Sequence, residues 1–286
     1  MSRASSPGGM SPEQFWHSGF RGALLDLDGT LFRGRAVIEG APEFVRALRA
    51  SGIQPIFFTN NSSRTPAQVA TFLRDLGIDA QAEEVATSAQ AAAFLIRRRT
   101  SAKPHGEPPI VAFVGGPGLE EALRDEGLEP RKARADELRA AWVNRASAVA
   151  VGLAPDACYG DLALVARVAY RIGWMVLTNP DRRLPVEDGF MPGNGALGAF
   201  VQTASSADVF VTGKPDPSFV DYALQRFHLR RDEVVIVGDN VETDVAAGRA
   251  AGLATVWVKS GLDGEVDPAH TPEWTVDSVA ALLSHR

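Results

Sequence analysis

A single cysteine, Cys158, among 286 residues rules out an intramolecular disulfide and a cysteine-rich zinc site, so the chain reads as belonging to a reducing compartment, the cytoplasm. Cys158 itself is expected to be a small core residue. The five histidines are scattered without a His-x-x-x-His pair, which removes a zincin-type centre. Basic charge is also short: 29 Lys and Arg face 35 Asp and Glu, a formal net charge of −6, so there is no global field for nucleic acid. An anionic ligand must be captured locally. Charge, Gly or Pro interrupts every apolar run within about 18 residues, which excludes a membrane-spanning helix. The Ser-, Gly- and Pro-rich start lacks the apolar stretch of a signal peptide, and no solenoid-type repeat is visible.

What is present is an ordinary globular composition, 45% hydrophobic and 22% charged, with a βα rhythm. Strands are expected at Ala23–Leu27 and Ile53–Phe58, and helices over Pro42–Ala50 and from Pro66 to Leu76, with Thr65 as N-cap. The residues between, Asn60 to Arg64, then form a loop at the strand end. An Ala-rich helix follows Thr87-Ser88 and ends in Arg97-Arg98-Arg99, charges that suit a helix C-terminus. Ile110–Val114, Ala148–Val151, Tyr159–Ile172 and Trp174–Leu177 make a second βα series, and Gly115-Gly116-Pro117-Gly118 reads as a structural turn. From Asn194 the pattern runs through strands at Val209–Val211, Val234–Val237 and Thr255–Val258, and a last helix over Val276–Leu283.

Charge gathers at three strand ends. Asp26 and Asp28, in Asp26-Leu27-Asp28-Gly29-Thr30, lie two residues apart, so side-chain alternation lets both face one ligand. Gly29 permits a sharp exit from the strand, and Thr30 offers a hydroxyl and an amide. Thr212-Gly213-Lys214-Pro215 and Gly238-Asp239-Asn240-Val241-Glu242-Thr243-Asp244 follow two further β-branched stretches. An acidic cluster with one lysine suits a metal ion and a phosphate. Taken singly, each has a plainer reading: Thr59 and Asn60 as turn formers, Lys214 as a solvated loop lysine, Asp244 as a charge at a helix N-terminus.

In this order the motifs resemble those of the haloacid dehalogenase-like phosphohydrolases. Asp26-Leu27-Asp28-Gly29-Thr30 matches the first motif, Thr59-Asn60-Asn61 the second, Lys214 the third, and Gly238-Asp239 with Thr243-Asp244 the fourth. Thr178-Asn179-Pro180-Asp181 ahead of Gly193-Asn194-Gly195 is similar to the NagD-like branch. The resemblance implies an α/β fold, a Rossmann-like parallel-sheet core with an inserted α/β cap domain. The implied limits are a disordered tail at 1–19, core at 20–88, cap at 89–193 and core again at 194–286.

It also implies roles. Asp26 would be the nucleophile that forms an aspartyl-phosphate, and Asp28 the acid for the leaving alkoxide and then the base for water. Mg²⁺ would be held by Asp26, the Asp28 carbonyl and Asp239, with Asp244 and Asn240 behind them. Thr59, Asn60 and Lys214 would bind the phosphoryl group, and Asn179, Asp181, Arg182 and Arg183 would contact the rest of the substrate. The expected activity is Mg²⁺-dependent hydrolysis of small phosphomonoesters of sugar, polyol, nucleotide or pyridoxal type. Transfer to a sugar hydroxyl, as in a phosphomutase, and a non-catalytic phospho-aspartate module are the alternatives. The partner is a small phosphorylated metabolite, with neither nucleic acid nor membrane, and a homodimer is compatible with this reading.

Overall fold

The computed structural model describes residues 12–100, 106–186, 188–259 and 271–284. The chain opens with helix α1 (Pro12–His17), β1 (Gly22–Leu25), a ribbon of β2 (Phe32–Arg33) and β3 (Ala36–Val37), α2 (Ala41–Ala50), β4 (Gln54–Thr59), α3 (Pro66–Asp75), β5 (Val85–Thr87) and α4 (Ser88–Thr100). A second series holds β6 (Ile110–Val114), α5 (Pro117–Asp125), β7 (Glu129–Lys132), α6 (Ala141–Arg145), β8 (Ala148–Val151), α7 (Tyr159–Ile172) and β9 (Trp174–Leu177). It continues with β10 (Arg183–Val186), β11 (Gly189–Pro192), α8 (Asn194–Ser205) and β12 (Asp208–Val211). The last stretch contains α9 (Pro217–Phe227), β13 (Val234–Gly238), α10 (Ala246–Ala251), β14 (Ala254–Val258), β15 (Trp274–Val276) and α11 (Val279–Leu283). They form two compact units, one of Met1–Phe58, Ala70–Val85 and Ala223–Arg286, the other of Thr59–Val69 and Ala86–Tyr222.

The first unit is built on a sheet of order β15-β14-β13-β1-β4-β5. β1 lies inside it, parallel to β13 and β4, with Leu25 opposite both Val237 and Phe57. All four β1 residues are buried, as expected of a parallel strand covered on both faces. The reading of 1–19 as a disordered tail meets a helix at Pro12–His17. Phe15 is fully buried against Phe20, Phe44 and Trp274, and Trp16 Nε1 donates to the Leu282 carbonyl at 2.7 Å. Aromatic rings bury about 150–250 Å² each, enough to order a short segment that composition alone marks as a tail. Residues 1–11 of that expectation lie outside the described residues. Arg49 closes α2 on Glu84, whose hydrogen bond holds the guanidinium above its ordinary pKa.

The second unit carries a parallel sheet of order β12-β9-β8-β6-β7. Along β6, Ile110, Ala112 and Val114 join one apolar cluster with Val149, Leu164 and Val201, while Val111 and Phe113 join another with Ile96, Leu119 and Leu123. This is strand alternation filling two layers. β12, read in the sequence as part of the return to the core, pairs instead with β9, Val211 opposite Leu177. A short apolar strand after a helix carries no local mark of which parallel sheet it will join. Cys158 is exposed, not a core residue: it caps α7, where its N–H donates to Asp161 Oδ2 at 3.0 Å. The Gly115–Gly118 run is a turn into α5, with Gly118 N–H bonded to the Ser63 carbonyl at 2.9 Å. A Cβ at Gly118 would strike the backbone of Arg64. Arg99, at the end of α4, stacks on Phe210 at 3.9 Å and Trp174 at 5.0 Å, so an aromatic pair joins the helix end in holding it. Among the described residues no helix is long and apolar enough to cross a membrane.

Candidate active site

In the first unit, Asp26 continues β1 by one residue, its N–H donating to the Val237 carbonyl at 2.8 Å. The chain then leaves the sheet in a tight turn around the Leu27 carbonyl, which accepts from Leu31 at 2.8 Å and Phe32 at 3.2 Å. Gly29 sits in this turn at φ +91° and presses on Asp239, whose carboxylate occupies the space a Cβ would need. Only glycine meets both demands. Thr30 is fully buried and its hydroxyl reaches Asp26 Oδ2 at 3.5 Å.

Asp239 follows the last residue of β13 and is 8% exposed; its carbonyl accepts from Trp257 Nε1 at 3.0 Å. Asn240 then caps one turn of π-helix, Val241–Val245, its Oδ1 accepting from the N–H groups of Glu242 at 2.9 Å and Thr243 at 3.2 Å. Such turns re-aim side chains within an otherwise ordinary helix start. Asp244 is placed by it at 1% exposure, with Oδ2 accepting from the Asn240 N–H at 3.1 Å. A Cβ at Gly238 would overlap the Asp244 side chain, so a second glycine admits a second carboxylate.

One carboxylate oxygen from each of Asp26, Asp239 and Asp244 lies within 4.8 Å of the others. Three like charges so placed, two of them buried, repel unless a cation or protons offset them. The donor set is all oxygen, which fits a hard divalent cation. The sequence reading puts Asp244 behind the ligands; its carboxylate stands level with the other two. Asn240 serves as a helix cap. Asp28 is outside the trio: its carboxylate is exposed and accepts from the Gly34 N–H at 3.4 Å. It is thus open to solvent for proton exchange.

In the second unit, Thr59 is the last residue of β4, and its hydroxyl accepts from the Asn61 N–H at 3.1 Å. Asn61 Oδ1 folds the following loop by accepting from Ser63 at 2.9 Å, and α3 begins on a reciprocal pair between Thr65 and Gln68. Asn60 grips Lys214: the Lys214 N–H donates to Asn60 Oδ1 at 2.7 Å, and Asn60 Nδ2 donates to the Lys214 carbonyl at 3.0 Å. The Asn60 side chain thus engages both backbone groups of Lys214. Lys214 is 2% exposed.

Of the four residues expected to read the rest of a substrate, Asp181, Arg182 and Arg183 are exposed. Arg183 stacks on Phe190 at 4.7 Å across an antiparallel ribbon of β10 and β11. Arg182 lines a cavity of about 400 Å³ with Pro180 and Gln202. Asn179 differs: it is buried, Nδ2 donates to the Asn60 carbonyl at 2.9 Å, and Oδ1 accepts from the Asp181 N–H at 3.2 Å. The sequence reading missed Ser88, whose hydroxyl donates to the same carbonyl at 2.8 Å. Nothing in its local context, an ordinary helix start, distinguishes it.

Known proteins resemble this chain in sequence and in fold. Residues 23–129 match the model of the haloacid dehalogenase-like hydrolases, and residues 211–282 match a second HAD-hydrolase-like model. An acid sugar phosphatase of Staphylococcus haemolyticus is 37% identical over 244 residues, covering 85% of this chain and 86% of that protein. Among solved structures, a mutant thermostable NPPase of Geobacillus stearothermophilus superposes with a TM-score of 0.79 at 34% identity, covering 91% of this chain and 97% of that one. A glycerol phosphate phosphatase of Mycobacterium tuberculosis in complex with magnesium gives 0.81 at 31% identity, covering 96% and 78%.

The chain therefore belongs to the haloacid dehalogenase-like hydrolases. Within them it is a phosphatase of the NagD-like branch, a Rossmann-like core carrying an α/β cap.

Proposed function

We propose that this phosphatase hydrolyses small sugar or polyol phosphates with Mg²⁺ and passes through an aspartyl-phosphate on Asp26. The observation that carries the reading is the convergence of the Asp26, Asp239 and Asp244 carboxylates within 4.8 Å. They would hold Mg²⁺, which when bound offsets the negative charge shared by phosphate and nucleophile. The relatives named acid sugar phosphatase and glycerol phosphate phosphatase favour sugar and polyol esters over nucleotides or pyridoxal phosphate. The single cysteine suits the reducing cytoplasm.

The Asp26 carboxylate attacks phosphorus, forming an O–P bond as the ester O–P bond breaks. Asp28 gives its proton to the departing alkoxide; its exposed carboxylate then takes a proton from the water that attacks the aspartyl-phosphate and frees Asp26. Lys214, the Thr59 hydroxyl and the Asn60 N–H would bind the phosphoryl oxygens, a preorganised set that needs no reorientation as charge develops. Asp181, Arg182 and Arg183 are exposed and would contact the alcohol half of the ester.

A phosphate-release screen over sugar, polyol, nucleotide and aryl phosphates, with and without Mg²⁺ and with acceptor sugars present, tests this. Mg²⁺-dependent release of inorganic phosphate, fastest with a sugar or polyol ester, is expected. Release that persists after chelation, or phosphoryl transfer to the acceptor sugar, would overturn it.

A further inference from the structure

The polar side chains behind Lys214 form a buried, uncharged network within the second unit. The Asn60 carbonyl accepts from two side chains, Ser88 Oγ at 2.8 Å and Asn179 Nδ2 at 2.9 Å, which fills both of its lone pairs. The Asn60 side chain is turned the other way, onto both backbone groups of Lys214. Gly213 makes that approach possible, since a Cβ there would crowd the Thr178 carbonyl, Asn60 Oδ1 and the Asn179 side chain. Asn179 is itself held, its carbonyl accepting from Asn194 Nδ2 at 3.1 Å. Asn194 also donates to Thr178 Oγ1 at 3.0 Å, and Thr178 to Ser62 Oγ at 3.0 Å. Asn179, Ser88, Thr178, Asn194 and Ser62 are each 5% exposed or less. Each of these five side chains makes at least one hydrogen bond; Asn194 Oδ1 is the buried side-chain atom among them without a partner, and turning Asn179 or Ser88 away from Asn60 would strand further buried polar groups.

We infer that Asn179 is a positioning residue: it acts through Asn60 on Lys214 and does not contact substrate. The inference rests on Lys214 serving the phosphoryl group, as proposed above. Lysine has a flexible four-carbon stem, so its ammonium is aimed only if its backbone is fixed. Asn60 fixes that backbone at N–H and C=O together, and Asn179 with Ser88 fixes Asn60. The loop from Thr178 to Arg183 thus carries two functions: Asn179 faces inward and sets the cation, whereas Asp181, Arg182 and Arg183 face outward.

The test is a double-mutant cycle with two side readouts. Asn179→Asp keeps the acceptor for the Asp181 N–H and removes the donor to Asn60; it should lower kcat about tenfold, the scale of one buried hydrogen bond. The loss should be the same factor for every phosphomonoester, and inhibition by inorganic phosphate should weaken in parallel. In a Lys214→Ala background the same substitution should change kcat by less than about threefold, because only the part that reaches the phosphoryl group through the Asn60 N–H remains. Ser88→Ala, outside the loop, should show the same pattern and replaces Asn179→Asp if that variant does not fold. A reordering of substrates with phosphate inhibition unchanged, or full multiplication of the two losses, overturns the inference alone. Undiminished turnover by Lys214→Ala overturns the proposed role of Lys214 and the inference with it.

Discussion

Around Asp26, Asp239 and Asp244 the chain crowds three carboxylates at the ends of β1 and β13; around Lys214 it surrounds a single cation's backbone with amides and hydroxyls. The first centre admits its charges through missing side chains, Gly29 against Asp239 and Gly238 against Asp244. The second is held by side chains that reach backbone, Asn60, Ser88 and Asn179. A cluster of like charges is stabilised from outside, by whatever cation enters, so its order should depend on solution conditions. A neutral network of direct side-chain hydrogen bonds needs no such ion to hold its order.

Substitutions at the two centres should therefore fail differently. The largest effect is expected at the nucleophile: Asp26→Asn should lower turnover by about 10⁴-fold or more, the scale for removing a covalent catalyst, with the melting temperature little changed or raised. Steady-state rates and a thermal melt check both halves. Next is Lys214→Ala, which should reduce kcat by about 10²–10³, the scale of one preorganised electrostatic contact. Lys214→Arg should not restore it fully, since a planar fork differs from a point charge. If the centres are as distinct as described, Lys214→Ala retains the full rise in melting temperature on adding Mg²⁺, whereas Asp239→Asn loses most of it. That rise corresponds to about 2.7 kcal/mol at a hundred times the dissociation constant.

A smaller effect is expected from Gly29→Ala, which puts a methyl against the Asp239 carboxylate at a positive φ. It should raise the Mg²⁺ concentration for half-maximal activity about tenfold, as an effect of order 1–3 kcal/mol from backbone strain implies, and leave phosphate inhibition at saturating metal alone. Smallest is Arg183→Ala. Exposed and stacked on Phe190, it should alter the ratio of kcat/KM between two esters by about five-fold at most, consistent with about 0.5–1 kcal/mol for an exposed cation–π contact.

The first centre was more legible in the sequence than the second. Asp26 and Asp239 each follow an apolar run, β-branched in the case of Asp239, so strand geometry alone carries them to the end of a strand. Asp244 was legible as a site residue, but the approach of its carboxylate to within 4.8 Å of the other two was not, because a single π turn over Val241–Val245 leaves no mark in five side chains. Thr65 announced the start of α3 through its pairing with Gln68, a local signal. The network behind Lys214 joins residues more than a hundred positions apart, Asn60 to Asn179 and to Lys214, and no periodicity encodes such contacts. Asn179 therefore reads in sequence as a turn residue aimed at substrate, although its amide faces inward. The edge strand β12 and the exposed Cys158 were misplaced for the same reason, since each depends on what packs beside it.

The covalent step on Asp26 is tested most directly by trapping. Asp28→Asn enzyme, which lacks the base for hydrolysis, is mixed with Mg²⁺ and an aryl phosphate whose departure needs no acid, and then reduced with borohydride. A phosphorylated aspartate becomes homoserine, identified by mass in the peptide that spans residue 26. The expected result is conversion of residue 26 that requires both substrate and Mg²⁺ and is absent from Asp26→Asn, Asp28→Asn enzyme. Substrate-dependent conversion at another carboxylate, or release of the aryl alcohol with residue 26 unaltered, would contradict it.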